Sequence, residues 1–201
     1  MLTLVYDTET TGLPSKKKNP LLADQPYIVQ LACILYNDTK PVAHFSSYLE
    51  PFVNGQGRET PDEQFFIDAG LTKAAMLPSR LKTEMGLKIF NQFVRVADRT
   101  VAHNERFDGG RIADTYTRLI GAVPDEWANT PHYCTMLTLE PIMKLPAKWG
   151  KGYKWPNMDE AYRAFVDPKG FDGAHDAMHD VAACAEVLFA VEKLSISLIR
   201  V

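Results

Sequence analysis

The sequence predicts an α/β protein in which helices pack on the faces of a mixed sheet. Apolar segments with the character of strands open the chain, and helical and strand-like segments alternate after them. This order of elements is typical of a sheet covered by helices. The chain has 201 residues, a length that fits one domain, so we expect residues 1–201 to form a single domain.

Three strands are predicted at the start of the chain. Residues 1–6 are an apolar run, residues 27–36 are rich in Ile, Val and Leu, and residues 42–49 form the third segment. The intervening Asn37-Asp38-Thr39-Lys40 is a hairpin-type connection, so the second and third strands are expected to be antiparallel. A sheet that also contains later strands is then expected to be mixed.

The rest of the chain is predicted to contain helices, short strands and loops. Residues 51–64 are polar with Pro and Gly, which indicates a loop. Leu87, Phe90, Val94 and Ala97 recur at spacings of three and four, which predicts a helix over residues 84–97. The other predicted elements are a short helical segment at 65–76, strands at 100–103 and within 131–137, and helices at 110–120, 158–165 and 176–194.

Composition excludes several classes of protein. No apolar stretch is long enough to span a bilayer, and the opening apolar run is too short for a secretory signal. Three widely separated cysteines indicate neither a disulfide framework nor a cysteine zinc site. We therefore expect a cytoplasmic protein without a membrane partner. The net charge of −3 does not decide whether nucleic acid is a partner, because acidic ligands can mask a locally basic surface in the sum.

Asp7 and Glu9 are the first candidate functional residues. They follow the first apolar run, and residues at i and i+2 of an extended chain point to the same side. Two neighbouring carboxylates repel each other and raise each other's pKa unless a cation lies between them. Hard divalent ions such as Mg²⁺ take oxygen ligands of this kind. A metal site and a solvated acidic turn that ends at Gly12 are both compatible with this segment alone.

Three further residues are candidates in later segments. Asp108 lies just past a predicted strand at the start of a helix, where it could also serve only to cap backbone donors. Asp180 is predicted one turn inside the final helix, with His175 in the loop before it, because Gly173 breaks the chain just upstream. From such a loop His175 can fold back over a site. Asp176 and His179 are expected to be capping or surface residues.

Together these segments resemble the DEDDh group of exonucleases, which includes the proofreading epsilon subunit of bacterial replicative polymerase, RNase T and oligoribonuclease. The resemblance extends over residues 2–193 and includes similarity to stand-alone and phage-type members. It rests on three motifs in order: Asp7-x-Glu9 with Thr10-Thr11-Gly12-Leu13, Ala102-His103-Asn104 with Phe107-Asp108, and His175-x-Ala177-x-x-Asp180.

The resemblance implies a ribonuclease H-like fold of the α/β class, with a five-stranded mixed sheet whose second strand is antiparallel and with helices on both faces. It also implies one exonuclease domain over residues 1–201. The implied activity is metal-dependent 3′–5′ release of nucleoside 5′-monophosphates. Two Mg²⁺ or Mn²⁺ ions are expected on Asp7, Glu9, Asp108 and Asp180, with His175 as the general base.

The resemblance further implies a set of residues that hold the terminal nucleotide. For Leu13 and Phe107, ordinary packing in the core is an equally open alternative to a role in substrate binding. A usual His/Gly pair after the third strand is replaced here by Asp68-Ala69-Gly70-Leu71, so substrate contacts there are in doubt. The expected substrate-binding residues are Thr10, Thr11, Leu13, Asn104 and Phe107.

The expected partner is the 3′ end of single-stranded nucleic acid, with DNA preferred over RNA. An exoribonuclease and a catalytically silent nucleic-acid-binding module are the alternatives. The chain ends 21 residues past Asp180 without a visible polymerase-binding tail, so a free-standing nuclease is expected.

Two basic segments also allow contact with nucleic acid. Lysines 16–18 could steer phosphates toward the acidic pair, and residues 144–156 interleave lysines with Trp149, Tyr153 and Trp155. Cations and flat rings suit a single strand. Solvated surface loops are the alternative for both segments.

Overall fold

The structure is a computed structural model that describes residues 1–15, 19–21, 24–147 and 152–199. Most of the strands belong to one central sheet, and a short two-stranded ribbon lies outside it. The strands are β1 Leu2–Thr10, β2 Ile28–Asn37, β3 Lys40–Tyr48, β4 Phe52–Val53, β5 Gln56–Gly57, β6 Arg99–Ala102 and β7 His132–Cys134.

Eight α-helices accompany these strands in the described part of the chain. A 3-10 turn, Leu77–Ser79, follows the second of them. The helices are α1 Gln64–Asp68, α2 Lys73–Met76, α3 Thr83–Val94, α4 Glu105–Ile120, α5 Asp125–Asn129, α6 Thr135–Met143, α7 Met158–Phe165 and α8 Ala177–Ile199. None of these helices has the combination of length and apolar character needed to cross a membrane.

The central sheet has five strands in the order β3-β2-β1-β6-β7. β2 pairs antiparallel with both β1 and β3, whereas β1–β6 and β6–β7 are parallel pairs. β2 is therefore the one strand that runs against the others. This confirms the predicted mixed sheet with an antiparallel second strand.

Alternation along β1 sends side chains into two separate cores. Leu4 and Tyr6 belong to a core formed with α3, α4 and α5. Within it, the Tyr6 ring meets Phe90 and Trp127 edge-on, at centroid distances of 5.7 and 5.5 Å. Val5 points to the opposite face and packs with Val181 and other residues of α8. Helices therefore cover both faces, and β1 is buried at the centre of the sheet.

The predicted element boundaries were wrong at several places. β1 continues to Thr10, so Asp7 and Glu9 lie within the strand and not after it. The strand predicted within 131–137 is confirmed as β7, and α6 begins directly after it. The predicted helix at 110–120 begins earlier, at Glu105. The segment at 65–76 is two short helices, separated at Gly70 by a left-handed backbone with φ of 69°.

Candidate functional site

Asp7 and Glu9 project from one face of β1 near its carboxyl end. The strand continues through both residues because β2 pairs with it along its whole length, with Asp7 opposite Ala32 and Glu9 opposite Gln30. The alternation that turns Val5 toward α8 turns both carboxylates toward the same side. They thus lie where the first turn of α8 meets the sheet.

Asp180 in the first turn of α8 completes a group of three carboxylates. One oxygen each from Asp7, Glu9 and Asp180 lies within 4.8 Å of the other two. The strand and the helix are more than 160 positions apart in the chain, and packing of Ala177 and Val181 against the sheet brings them together. All three donors are carboxylate oxygens, the ligand type that Mg²⁺ and Mn²⁺ prefer.

Asp108 lies beside this group but is held separately. It is buried in the first turn of α4, and its Oδ1 accepts hydrogen bonds from the Thr8 backbone amide and hydroxyl. β6 pairs with β1 only as far as Val5, so Asp108 occupies the free edge of β1 beyond it. Gly109 permits this approach, since a Cβ there would lie 3.0 Å from the Tyr6 hydroxyl oxygen.

Burial, together with the repulsion between neighbouring carboxylates, raises the pKa values of these acids. Burial is the main cause for Asp7, and Asp108, Glu9 and Asp180 add repulsion, so the pKa of Asp7 is well above its ordinary value. Burial and the neighbouring carboxylates, Asp180 first among them, raise the pKa of Glu9 to about 8. Burial also raises the pKa of Asp108, to about 7, although the Thr8 hydrogen bonds lower it. The pKa of Asp180 is likewise raised by burial.

Such a group is a natural cation site. Four carboxylates with raised pKa values destabilise the folded chain when they ionise, and an oxygen-seeking divalent ion would offset that charge. Asp7, Glu9 and Asp180 are close enough to share one ion. Asp108 is close enough to act on the charge of Asp7 and Glu9.

His175 lies in the loop before α8, as predicted from the sequence. Its backbone is left-handed, with φ of 71°. Its amide donates to Asp180 Oδ2 at 2.8 Å, which keeps the loop beside the carboxylate group. The imidazole is exposed and meets the exposed ring of Phe65 edge-on, with a centroid distance of 4.9 Å. Its ring thus contacts Phe65 at the protein surface.

The turn after β1 contains three of the predicted substrate-binding residues. Thr10 and Thr11 are buried, and their hydroxyls shape the turn: Thr10 donates to the Gly12 carbonyl, and Thr11 accepts from the Tyr27 amide. Leu13 is 80 % exposed and so does not belong to the core. Arg58, which the sequence did not single out, donates to the Thr11 hydroxyl at 3.3 Å.

The other two predicted substrate-binding residues lie at the start of α4. Asn104 precedes the helix with a left-handed backbone, φ of 68°, and its side chain does not cap the helix. Phe107 is half-buried and faces the Arg111 guanidinium, 5.7 Å from the ring centroid. Both residues share the helical turn that supplies Asp108.

Parts of the two basic segments lie outside the described residues. These parts are lysines 16–18, and Lys148, Trp149 and Lys151. Of the remainder, Trp155 is exposed and its indole donates to Glu140 at 2.9 Å. Lys154 forms an ion pair with Glu160, so its charge is already offset.

Comparison with known families identifies the class of protein. Residues 4–188 match the sequence model of the family described as Exonuclease, RNase_T. This chain belongs to that exonuclease family. A search of curated protein sequences found no match.

Solved structures share the fold. The E. coli exonuclease I complex with a dT13 oligonucleotide has a TM-score of 0.73 and 17 % identity, covering 99 % of this chain and 42 % of that one. A zinc-bound E. coli exonuclease I–ssDNA complex has a TM-score of 0.70 and 18 % identity, covering 99 % of this chain and 42 % of that one. Exonuclease I from Methylocaldum szegediense has a TM-score of 0.67 and 17 % identity, covering 96 % of this chain and 40 % of that one. The chain thus spans about two fifths of these relatives, and the likeness supports a ribonuclease H-like fold.

Proposed function

We propose that this chain is a metal-dependent 3′–5′ exonuclease that releases nucleoside 5′-monophosphates from the ends of single-stranded DNA. The observation that carries the proposal is the meeting of Asp7, Glu9 and Asp180 within 4.8 Å in a member of an exonuclease family. A chain that only bound nucleic acid would gain nothing from carboxylates that repel one another and repel phosphate.

The proposed ligands of two Mg²⁺ or Mn²⁺ ions are Asp7, Glu9, Asp108 and Asp180. When bound, such ions lower the pKa of water and offset the charge that develops on the leaving 3′ oxygen. Asp7, Glu9 and Asp180 surround one position directly. Asp108 would contribute its carboxylate from the first turn of α4, where Thr8 donates two hydrogen bonds to its Oδ1.

His175 is the proposed general base. Its ring is exposed, and histidine is the side chain most often used as a general base, so it can take the proton of the attacking water. The hydrogen bond from its amide to Asp180 keeps the residue next to the reacting phosphate.

The proposed substrate site lies between the turn after β1 and the start of α4. Leu13 is exposed and can pack against the terminal base or sugar, and Asn104 and Phe107 at the start of α4 are the other proposed contacts. Thr10 and Thr11 hold the turn in shape. Single-stranded DNA is the proposed substrate because structural relatives were solved in complex with oligonucleotides or single-stranded DNA.

Nucleotide release from matched oligomers tests this function. DNA and RNA of the same sequence, single- and double-stranded and labelled at the 3′ end, are incubated with Mn²⁺ or with chelator, and the products are separated. We expect 5′-mononucleotides from single-stranded DNA with metal, and none from the Asp7→Asn variant. Faster release from RNA would assign the exoribonuclease alternative. Equal release by wild type and Asp7→Asn would overturn the enzyme assignment.

A further inference from the structure

Gln30 is a buried polar residue within the apolar strand β2. Its side chain is 4 % exposed, and its neighbours in the strand, Val29 and Leu31, are fully buried core residues. In the β1–β2 ladder it lies directly opposite Glu9. A polar side chain in such a place costs free energy unless its hydrogen bonds are made, so its partners indicate what it does.

Both ends of the Gln30 amide bind the start of α8. Its Oε1 accepts from the Ala177 backbone amide at 3.2 Å, and its Nε2 donates to Asp176 Oδ2 at 3.0 Å. The other oxygen of Asp176 accepts from the amides of Met178 and His179, at 3.0 and 3.3 Å. Asp176 thus caps the helix, and Gln30 ties both the cap and the first helical residue to the sheet.

The turn that Gln30 holds is the one that presents Asp180. The Asp180 amide donates to the Asp176 carbonyl at 3.0 Å, and the Asp180 carboxylate accepts from the His175 amide. Gln30, which lies opposite Glu9 in the β1–β2 ladder, therefore links β2 directly to the turn that carries Asp180. It joins two segments that are 147 positions apart in the chain.

Apolar packing alone would not hold this turn in one position. Val181, Cys184 and Leu188 press α8 onto the sheet, but the hydrophobic effect is non-directional and resists a small slide along the helix axis only weakly. Hydrogen bonds at 3.0 and 3.2 Å have preferred directions. A displacement of about 1 Å at a reacting centre can reduce a rate by about 100-fold.

We propose that Gln30 is a positioning residue: it holds the first turn of α8 against β2 and so sets where Asp180 stands relative to Asp7 and Glu9. The proposal rests on the function given above, because it concerns the same carboxylates. It assigns Gln30 no contact with substrate. Its effect is transmitted through Asp176 and Ala177.

Reversal of one hydrogen bond gives a sharp test. In Gln30→Glu alone, the new carboxylate lies against the Asp176 carboxylate, so this hydrogen bond has no donor. In Asp176→Asn alone, the new amide NH₂ lies against the Gln30 NH₂, so the hydrogen bond has no acceptor. In the double variant the amide at position 176 donates to the carboxylate at position 30, which still accepts from Ala177. The double variant keeps the total charge of the wild type. Gln30→Met removes both hydrogen bonds at similar volume.

The first measurement is amide hydrogen exchange in metal-free protein. We expect exchange at Ala177, Met178 and His179 to rise at least about tenfold in Gln30→Met and in both single variants, and to return toward wild type in the double variant. Unchanged exchange at Ala177 in Gln30→Met would overturn the proposal. This result does not depend on metal or activity, so it stands even if the proposed function fails.

The second measurement is the Mn²⁺ concentration that gives half of the maximal rise in melting temperature. We expect about a tenfold increase in Gln30→Met, as is typical when a group that orients metal ligands is removed, and recovery in the double variant. Gln25→Met is the matched control: Gln25 is equally buried, but its amide bonds to Ser15. An equal increase in Gln25→Met, or none in Gln30→Met, would reduce Gln30 to a general structural role and overturn the proposal.

Discussion

Thr8 donates its backbone amide and its hydroxyl to the same oxygen of Asp108, at 3.1 and 2.7 Å. The two residues are 100 positions apart, on β1 and α4, and both are buried. Thr8 lies between Asp7 and Glu9, so one strand presents two carboxylates to α8 and secures a third from α4. Both hydrogen bonds favour the ionised form of Asp108 against its burial.

Replacing Thr8 by Val should therefore weaken metal binding. Val keeps the shape and the backbone donor but removes the hydroxyl, so the pKa of Asp108 should rise further above its present value of about 7. We expect a several-fold increase in the Mn²⁺ concentration that half-saturates nucleotide release at pH 7. Thr3→Val is the control, because Thr3 is buried on the same strand and its hydroxyl accepts from Arg99. A similar increase in Thr3→Val would contradict the assigned role of Thr8.

Asp7→Asn should stabilise the metal-free protein while it abolishes nucleotide release. The Asp7 carboxyl has a pKa well above its ordinary value, because it is buried and surrounded by like charges. Removal of its charge relieves that repulsion. We expect the melting temperature without metal to rise by about 3 °C or more, and the further rise on addition of Mn²⁺ to disappear. A melting temperature of Asp7→Asn below that of the wild type in chelator would contradict the repulsion between these carboxylates.

The stability of the metal-free chain should fall as pH rises from about 5 to about 8. The pKa values of Glu9 and Asp108 are raised to about 8 and about 7, whereas unfolded carboxyl groups titrate near 4. Between these limits the folded chain binds more protons than the unfolded chain, so stability decreases as pH increases. Melting curves in chelator at several pH values measure this.

The stabilisation of the protein by Mn²⁺ should increase as pH rises. Metal binds deprotonated carboxylates, so the rise in melting temperature with Mn²⁺ should be larger at pH 8 than at pH 6. The Asp7→Asn variant is the control and should show no rise in melting temperature with Mn²⁺ at either pH. An equal rise in melting temperature with Mn²⁺ at pH 6 and pH 8 would argue against metal binding at these carboxylates.

His175→Ala should separate catalysis from metal binding. Loss of a general base typically lowers the rate by about 100- to 10,000-fold, whereas the hydrogen bond to Asp180 comes from the backbone amide and remains. We expect a rate loss in that range with an unchanged Mn²⁺ shift in melting temperature. His179→Ala is the matched control, since His179 is exposed nearby but its ring faces Asp176. Unchanged turnover in His175→Ala would remove it as the base.

Sequence reasoning was most successful where local signals agree with the fold. α7 was predicted at its observed bounds, Met158–Phe165, and Asn157 and Glu160 form a capping box at its start. The position of His175 in a loop before Asp180 follows from Gly173, whose φ is 81°. The antiparallel pairing of β2 with β3 was likewise predictable, from two apolar runs joined by a hairpin connection. That β2 also runs antiparallel to β1 was an expectation from the family resemblance.

The errors have local physical causes. Asn54-Gly55 joins β4 to β5 with positive φ at both residues, a hairpin signal that lay unrecognised within the predicted loop. α4 begins after a left-handed Asn104, earlier than the Gly109-Gly110 pair indicates.

Long-range partners were beyond reach of the sequence. Gln30 is one polar residue within an apolar run, and both of its partners are about 146 positions away. Nothing local distinguishes it from a residue on a solvated strand face. The same holds for the contact of Arg58 with Thr11, because the ribbon that places Arg58 was not predicted.

The most direct test of the central claim is anomalous diffraction from crystals soaked in Mn²⁺. The account predicts a strong peak within ligand distance of Asp7, Glu9 and Asp180, and a second near Asp108. Peaks elsewhere, with no density among those three carboxylates at saturating Mn²⁺, would contradict it.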